Sequence, residues 1–311
     1  MDKSFLITID TEGDNIWNWQ DGNEISTENS AYLPRFQALC EKYNFKPTYL
    51  TNYEMACEER FVELAADALG KGACEIGMHL HAYNNPPFFP LSVTQKKNFP
   101  YLIEYPEEII DEKIKRLNDL LIEKFGITPR SHRAGRWALN DSYLRLLKKH
   151  GYRFDCSVTP GVDWSGAKGS TEGSKGSDYT KCMNTPYYIS EGMLEIPVTI
   201  KRIHKSFLNI DSPQNMARII KHHVLGQQVW LRPNGNNIKE ISALLEKEKK
   251  TNSGYLMFML HSSELMPGGS PTFHSPKDIE VLYEHIEMIF MSAKQFCDGK
   301  TLTEYAEGLK I

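Results

Sequence analysis

No stretch of the 311 residues is apolar over the roughly 18–20 positions that a membrane-spanning helix needs, so membrane insertion is not expected. The six cysteines (40, 57, 74, 156, 182 and 297) form no C-x-x-C pair, which argues against a zinc ribbon, a dithiol redox motif or a disulfide framework. They read as reduced thiols. An excess of positive charge is also missing: 36 Lys and Arg stand against 40 Asp and Glu, for a net charge of −4, so neither nucleic acid nor an anionic membrane is an expected partner. The strand pattern begins almost at once, leaving no room for a basic and then apolar leader, and the expectation is a cytoplasmic protein. No internal repeat is evident, and the Gly/Ser/Lys-rich stretch 161–178 lacks a phosphate-loop pattern.

What is present begins with Phe5-Leu6-Ile7-Thr8-Ile9-Asp10-Thr11-Glu12-Gly13-Asp14. An apolar, β-branched run leads straight into three carboxylates, and residues two apart on an extended chain share a face. Asp10 and Glu12 should therefore project together from the strand end. Cys74 to His81 repeats the device with His79 and His81. A same-face imidazole pair at a strand end suits a metal site, although single histidines are more often structural. A third apolar strand, 254–261, also ends on a histidine, His261.

Between these lie alternating helix and strand patterns. Helices are expected at 33–43, 58–69, 106–126, 140–150, 213–225, 238–250 and 277–296, with a last short helix capped by Thr301 and Glu304. Strands are expected at 47–51, 129–137, 152–158, 193–199 and 229–233. The Trp17 and Trp19 loop is either a lid or rim packing. The order implies an α/β, single-domain distorted (β/α) barrel over 1–311, with about seven parallel strands and inserted loops, the irregular Gly/Ser-rich one near 160–190. Its polar residues gather at strand ends: Asp10 and Glu12, His79 and His81, Arg133 and Trp137, and His261.

These residues carry a family resemblance. In order along nearly the whole chain, Thr8-Ile9-Asp10-Thr11-Glu12-Gly13, Glu75-Ile76-Gly77-Met78-His79, Arg133 to Trp137, Asp155-Cys156-Ser157-Val158 and the strand ending at His261 resemble the motifs of polysaccharide deacetylases of the NodB-homology superfamily, in a WalW-like branch. Three positions depart from that pattern. Thr11 separates the two acids that are adjacent in the family, Tyr83 occupies the usual place of the second histidine, so that His81 takes its role, and Gly135 replaces a proline.

The resemblance implies a hydrolase of carbon–nitrogen bonds other than peptide bonds, removing an acetyl group from an N- or O-acetylated sugar or glycan. It implies one divalent metal, zinc first with iron, cobalt or nickel as alternatives. Glu12, His79 and His81 would hold it. Asp10 would be the base, Arg133 its partner, His261 the acid, and a backbone N–H near Trp137 part of the oxyanion site. Trp137, Tyr83 and Trp164 would stack on sugar or cover the barrel mouth. Arg136 is placed with them as a substrate contact, though it and Arg232 also read as rim charges. Two other readings stand beside this one: a degenerate barrel that binds glycans without cleaving them, and a metal hydrolase of a small non-sugar amide.

Overall fold

The strand that organises the sheet is buried on both faces. β1 (Ser4–Thr11) has no exposed residue, and its sequence is accordingly near-continuous apolar rather than strictly alternating. The computed structural model describes residues 3–18, 24–91, 99–203, 226–251 and 253–309. Trp19 and the helix expected at 213–225 lie outside the described residues.

The other strands are β2 (Pro47–Thr51), β3 (Glu75–Leu80), β4 (Ser131–Ala134), β5 (Phe154–Asp155), β6 (Tyr187–Ser190), β7 (Met193–Glu195), β8 (Ile200–Ile203), β9 (Gln227–Trp230), β10 (Tyr255–His261) and β11 (Asp298–Gly299). The main sheet runs β10-β1-β2-β3-β4-β5-β7-β6, with β11 beside β1. From β10 through β7 every neighbouring pair is parallel. That makes seven parallel strands curled into a half-barrel with helices outside, as the sequence predicts.

Alternation along each strand decides what faces inward. Phe5, Ile7 and Ile9 pack outward beneath the helices, in one cluster with Phe36, Phe258 and Phe290. Leu6 points inward with Leu50, Phe154, Leu194, Met257 and Met259. Two and four residues after Leu6, on the same face, stand Thr8 and Asp10. The parallel arrangement then brings all the strand ends to one edge. In register, Asp10 lies beside His261 and His79 beside Arg133.

The helices are α1 (Leu33–Lys42), α2 (Tyr53–Cys57), α3 (Glu59–Gly70), α4 (Glu107–Phe125), α5 (Asp141–Lys149), α6 (Ile238–Glu248), α7 (Pro276–Lys294) and α8 (Leu302–Glu307). Their ends follow local chemistry. Gly126 ends α4 at φ 64°, the left-handed conformation that a side chain disfavours. Asn140 accepts the Tyr143 N–H at the start of α5, and Thr301 and Glu304 form the expected capping box on α8.

Among the expected strands, 129–137 is confined to Ser131–Ala134 and 193–199 to Met193–Glu195, and two others differ further. The fifth shrinks to Phe154–Asp155, because Ser157 folds back and gives both its N–H (2.9 Å) and its hydroxyl (2.8 Å) to Asp155. The strand expected at 229–233 falls at Gln227–Trp230 and pairs antiparallel with β8, in a separate two-stranded sheet. Irregular chain stitches that side to β10: the Leu231 N–H donates to the Thr199 carbonyl (3.1 Å) and the Met259 N–H to the Leu231 carbonyl (3.3 Å). The 160–190 insertion carries two isolated bridges, Asp163 with Asp178 and Lys168 with Lys175, before β6. Among the described residues no helix is long and apolar enough to cross a membrane.

Candidate metal centre and its surroundings

Glu12 sits one residue beyond β1, and its backbone is fixed from both sides. Its N–H donates to the Ser262 hydroxyl (3.0 Å), and its carbonyl accepts from Ser262 (3.0 Å) and from the Asn29 amide (2.8 Å). This delivers its carboxylate to the two histidines of the β3 end. Glu12 Oε2 lies 3.1 Å from His81 Nε2 and 3.3 Å from His79 Nε2, and the two ring nitrogens are 3.1 Å apart. All three side chains are buried.

The triangle has the size of a ligand set. Ions bound at about 2.0–2.1 Å by nitrogen and oxygen hold neighbouring ligand atoms about 3–3.4 Å apart. The proton positions agree with this. His79 Nδ1 lies 2.9 Å from the Arg133 carbonyl, which can only accept, so Nδ1 carries a proton and, in the neutral ring, Nε2 presents a lone pair into the triangle. A lone pair, a second imidazole and a carboxylate oxygen packed this closely out of water favour a cation among them. Burial pushes the Glu12 carboxyl up, but hydrogen bonds from the two imidazoles in their protonated form outweigh it and hold it well below its ordinary value. These three residues could hold one metal ion.

Beside the triangle, Asp10 is gripped by the fully buried Arg133, with Nη1 to Oδ1 at 2.5 Å. The guanidinium also donates to the Thr8 hydroxyl (2.8 Å), the Cys156 carbonyl (3.1 Å) and the Met257 sulfur (3.5 Å). Burial acts against the Asp10 charge, yet Arg133, His79 and His261 together hold its carboxyl below the ordinary value. From the other side comes His261, with Nε2 3.6 Å from Asp10 Oδ2 and 3.8 Å from Glu12 Oε1. The structure thus brings together Asp10, Glu12, His79, His81, Arg133 and His261.

The remaining sequence candidates sit around this group. The Trp137 ring covers the Arg133 guanidinium at 5.2 Å and meets Trp230 at 6.1 Å. Trp164 reaches the same Trp230 at 6.5 Å and donates its indole N–H to Thr159 (2.8 Å). Tyr83 packs on the His81 ring at 5.2 Å. Arg136 is committed to the protein: its guanidinium donates to the Phe99 and Lys168 carbonyls and lies 3.8 Å over Tyr101. Arg136 and Trp137 take φ of 55° and 60°, consecutive non-glycine residues in the left-handed region. Such conformations cost on the order of 1 kcal/mol or more each and gather at functional sites.

Gly135 has a steric reason to lack a side chain. A Cβ there would lie 2.7 Å from His81 Nδ1 and 2.7 Å from the Leu80 carbonyl oxygen. Gly135 and His81 are therefore sterically coupled, because the His81 ring occupies the space above residue 135. Gly135→Ala is expected to weaken binding of a divalent ion roughly 10- to 100-fold by turning the His81 ring, as loss of a ligand's orienting contact does. A competitive chelator titration reads this, and unchanged affinity would refute the coupling.

Sequence reading missed Glu54, in the first turn of α2. Its carboxylate accepts the Gly13 N–H (2.8 Å) and the Asn84 amide (3.0 Å), clamping the turn after Glu12 to the loop after His81. These partners lie 41 and 30 residues away, so no local pattern exposes them. Burial, with the Glu12 charge adding to it, pushes the Glu54 carboxyl up to about 7. Because the folded chain keeps a proton that the unfolded chain releases near 4.5, stability falls as pH rises from about 4.5 to about 7. Glu54→Gln removes that loss. The variant should gain on the order of 2–3 kcal/mol over wild type at pH 8 compared with pH 4. Urea unfolding in chelator at the two pH values measures it, and parallel pH profiles for the two proteins would refute it.

No protein-family model and no curated protein matches the sequence. Among solved structures, the fold is similar to a candidate polysaccharide deacetylase from Mycobacterium smegmatis, at 14% identity and TM-score 0.55, over 99% of this chain and 90% of that one. It is similar also to the 4-alpha-glucanotransferase of Thermococcus litoralis, at 15% identity and TM-score 0.57, over 99% of this chain and 40% of that one. A third likeness is to the GH57-type branching enzyme of Pyrococcus horikoshii, at 10% identity and TM-score 0.57, over 100% of this chain and 71% of that one. What is shared at such identities is the fold. Since that fold carries differently named activities, the chemistry has to be argued from the side chains.

Proposed function

We propose that the chain is a metal-dependent deacetylase of the NodB-homology type, WalW-like branch, acting on an N-acetylated or O-acetylated sugar or glycan. The observation that carries this is the Glu12–His79–His81 triangle lying against an arginine-held carboxylate and a separate histidine. A glycosidase needs two carboxylates free to flank a glycosidic bond. Here one acid is enclosed by two imidazoles and the other is held by Arg133, which favours hydrolysis of an acyl group. The fold likeness to the Mycobacterium smegmatis protein supports the same reading.

Glu12, His79 and His81 would hold the divalent ion, with zinc the first choice for one oxygen and two nitrogen donors. When bound, that ion supplies positive charge that polarises an acetyl carbonyl and makes water a stronger acid. The chain's own groups do the rest. Asp10, kept ionised by Arg133, takes the proton of the attacking water as its oxygen bonds to the acetyl carbon. A backbone N–H of the strained turn at Trp137 supports the oxyanion. His261 gives a proton to the departing nitrogen, or to the oxygen of an ester, as the acyl bond breaks and acetate leaves. Trp137, Tyr83 and Trp164 form the aromatic surroundings in which a sugar face would rest. Residues 1–311 act as one catalytic domain in this reading.

Elemental analysis of the wild type and of His79→Ala/His81→Ala, followed by a screen of acetylated sugars for acetate release, tests the proposal. Stoichiometric transition metal lost in the double variant, with metal-dependent acetate release, is the expected result. Absence of metal after zinc or cobalt loading would overturn it and favour a glycan-binding barrel.

A further inference from the structure

Arg232 stands just after β9, and sequence alone gives it no more than a rim position. In the structure one of its nitrogens reaches the outer side of His261. Arg232 Nη2 lies 3.0 Å from His261 Nδ1 and 2.9 Å from Glu264 Oε2. The same Glu264 oxygen accepts the His261 backbone N–H at 2.9 Å and stands 3.2 Å from Nδ1. Glu264 is buried, and the turn Ser262–Leu265 has the reciprocal form of a capping box, in which the His261 ring faces the Glu264 backbone N–H. Trp17 closes the arrangement, with its ring edge-on to His261 at 5.0 Å and its indole N–H on the Ser263 hydroxyl at 3.0 Å.

Two proton arrangements compete at Nδ1. Next to Glu264 alone, Nδ1 would carry the proton and donate to the carboxylate, leaving Nε2 as a bare lone pair aimed at Asp10 and Glu12. A guanidinium, however, has donors only. With Arg232 at 3.0 Å, Nδ1 must present its lone pair, and the ring proton then sits on Nε2. There it faces two acceptors, Asp10 Oδ2 at 3.6 Å and Glu12 Oε1 at 3.8 Å. Glu264 is meanwhile satisfied by Arg232 and by the His261 backbone.

We infer that Arg232 is a positioning residue that fixes the tautomer of His261, holding the neutral ring with its proton on Nε2, toward the metal-side carboxylates. Its use in catalysis rests on the deacetylase reading, in which the ring takes a second proton at Nδ1, facing Glu264 Oε2 at 3.2 Å, and then passes its Nε2 proton to the leaving group, returning to the neutral state. The tautomer itself does not depend on that reading. A bare Nε2 would instead be a further lone pair competing for the ion, so Arg232 also keeps His261 out of the ligand set.

The test is ¹⁵N NMR of histidine-labelled, zinc-loaded protein at a pH where the ring is neutral, with His261 assigned by loss of its signals in His261→Gln. A lone-pair nitrogen resonates far downfield of a protonated one. Wild type should show Nδ1 downfield and Nε2 upfield, Arg232→Leu should invert that order, and Arg232→Lys, which keeps a donor, should restore it. Zinc content equal to wild type in the Leu variant shows that the site has folded. A protonated Nδ1 in wild type would overturn the inference, as would an Arg232→Leu spectrum unchanged in order. Lack of acetate release in the sugar screen, with these spectra as expected, would count against the deacetylase reading alone.

Discussion

Asp10→Asn is expected to lower turnover of any accepted acetylated substrate by about 10²–10⁴-fold, the range general-base catalysis contributes, while zinc content stays at the wild-type level. The separation follows from geometry. Asp10 stands outside the ligand triangle, its Oδ1 taken by Arg133 at 2.5 Å and its Oδ2 3.6 Å from His261 Nε2. Asparagine keeps the shape and can still face the guanidinium, but it cannot take a proton from water. The contrast with His79→Ala/His81→Ala is what makes the result informative, since that variant should lose zinc and turnover together. Parallel measurement of acetate release and metal content distinguishes the two. An Asp10→Asn protein as active as wild type would remove Asp10 from the role of base and leave the metal site untouched.

Residues whose chemistry is local could be read from the chain. Asp10 with Glu12, and His79 with His81, are two apart at the ends of apolar runs, and strand alternation alone puts each pair on one face. Caps at Asn140 and Thr301 are equally local, and the structure has both. Register brings these pairs together, and register is a property of the whole sheet. The Arg133 and Asp10 partners are 123 residues apart and could be linked beforehand only through the family resemblance. Where a pattern reports burial without naming a partner, the reading strays. Val229 and Leu231 are indeed buried, yet the strand they mark pairs with Ile200–Ile203 instead of joining the parallel wall. Glu54 and Arg232 look like surface charges in the sequence, and only tertiary contacts give them work near the site, whereas Glu264 reaches His261 through the local turn three residues on.

The spacing of the acids and of the histidines becomes coherent on the same footing. Placing the second histidine two residues after His79 keeps both rings at the β3 end, on one face of the strand. It also swings His81 toward the turn after β4, and that turn can accept it because residue 135 has no Cβ. Tyr83 then packs on the His81 ring. Thr11, between the two acids, has a comparable effect on them. Asp10 remains on the strand facing Arg133, while Glu12 lies past its end, held by Ser262 and Asn29 so that its carboxylate meets the imidazoles.

Arg133→Met should be the most destabilising single change at the site, costing about 3–5 kcal/mol, because it strands the buried Asp10 charge without a partner. Arg133 is fully buried and also satisfies the Thr8 hydroxyl and the Cys156 carbonyl, so the loss extends beyond the ion pair. The double variant Arg133→Met/Asp10→Asn distinguishes these contributions. If the stranded charge dominates, the double variant should recover much of the stability that Arg133→Met loses, giving a coupling energy of roughly 2–3 kcal/mol in a double-mutant cycle. If the neutral contacts dominate, the two costs will simply add. Chemical unfolding of the four proteins in chelator measures this without interference from metal linkage. Strong coupling is expected because both groups lie out of water, where removing one member of a pair costs far more than exchanging both. Additive costs would show that Arg133 serves chiefly as packing, and would weaken its assignment as the group that keeps Asp10 ionised.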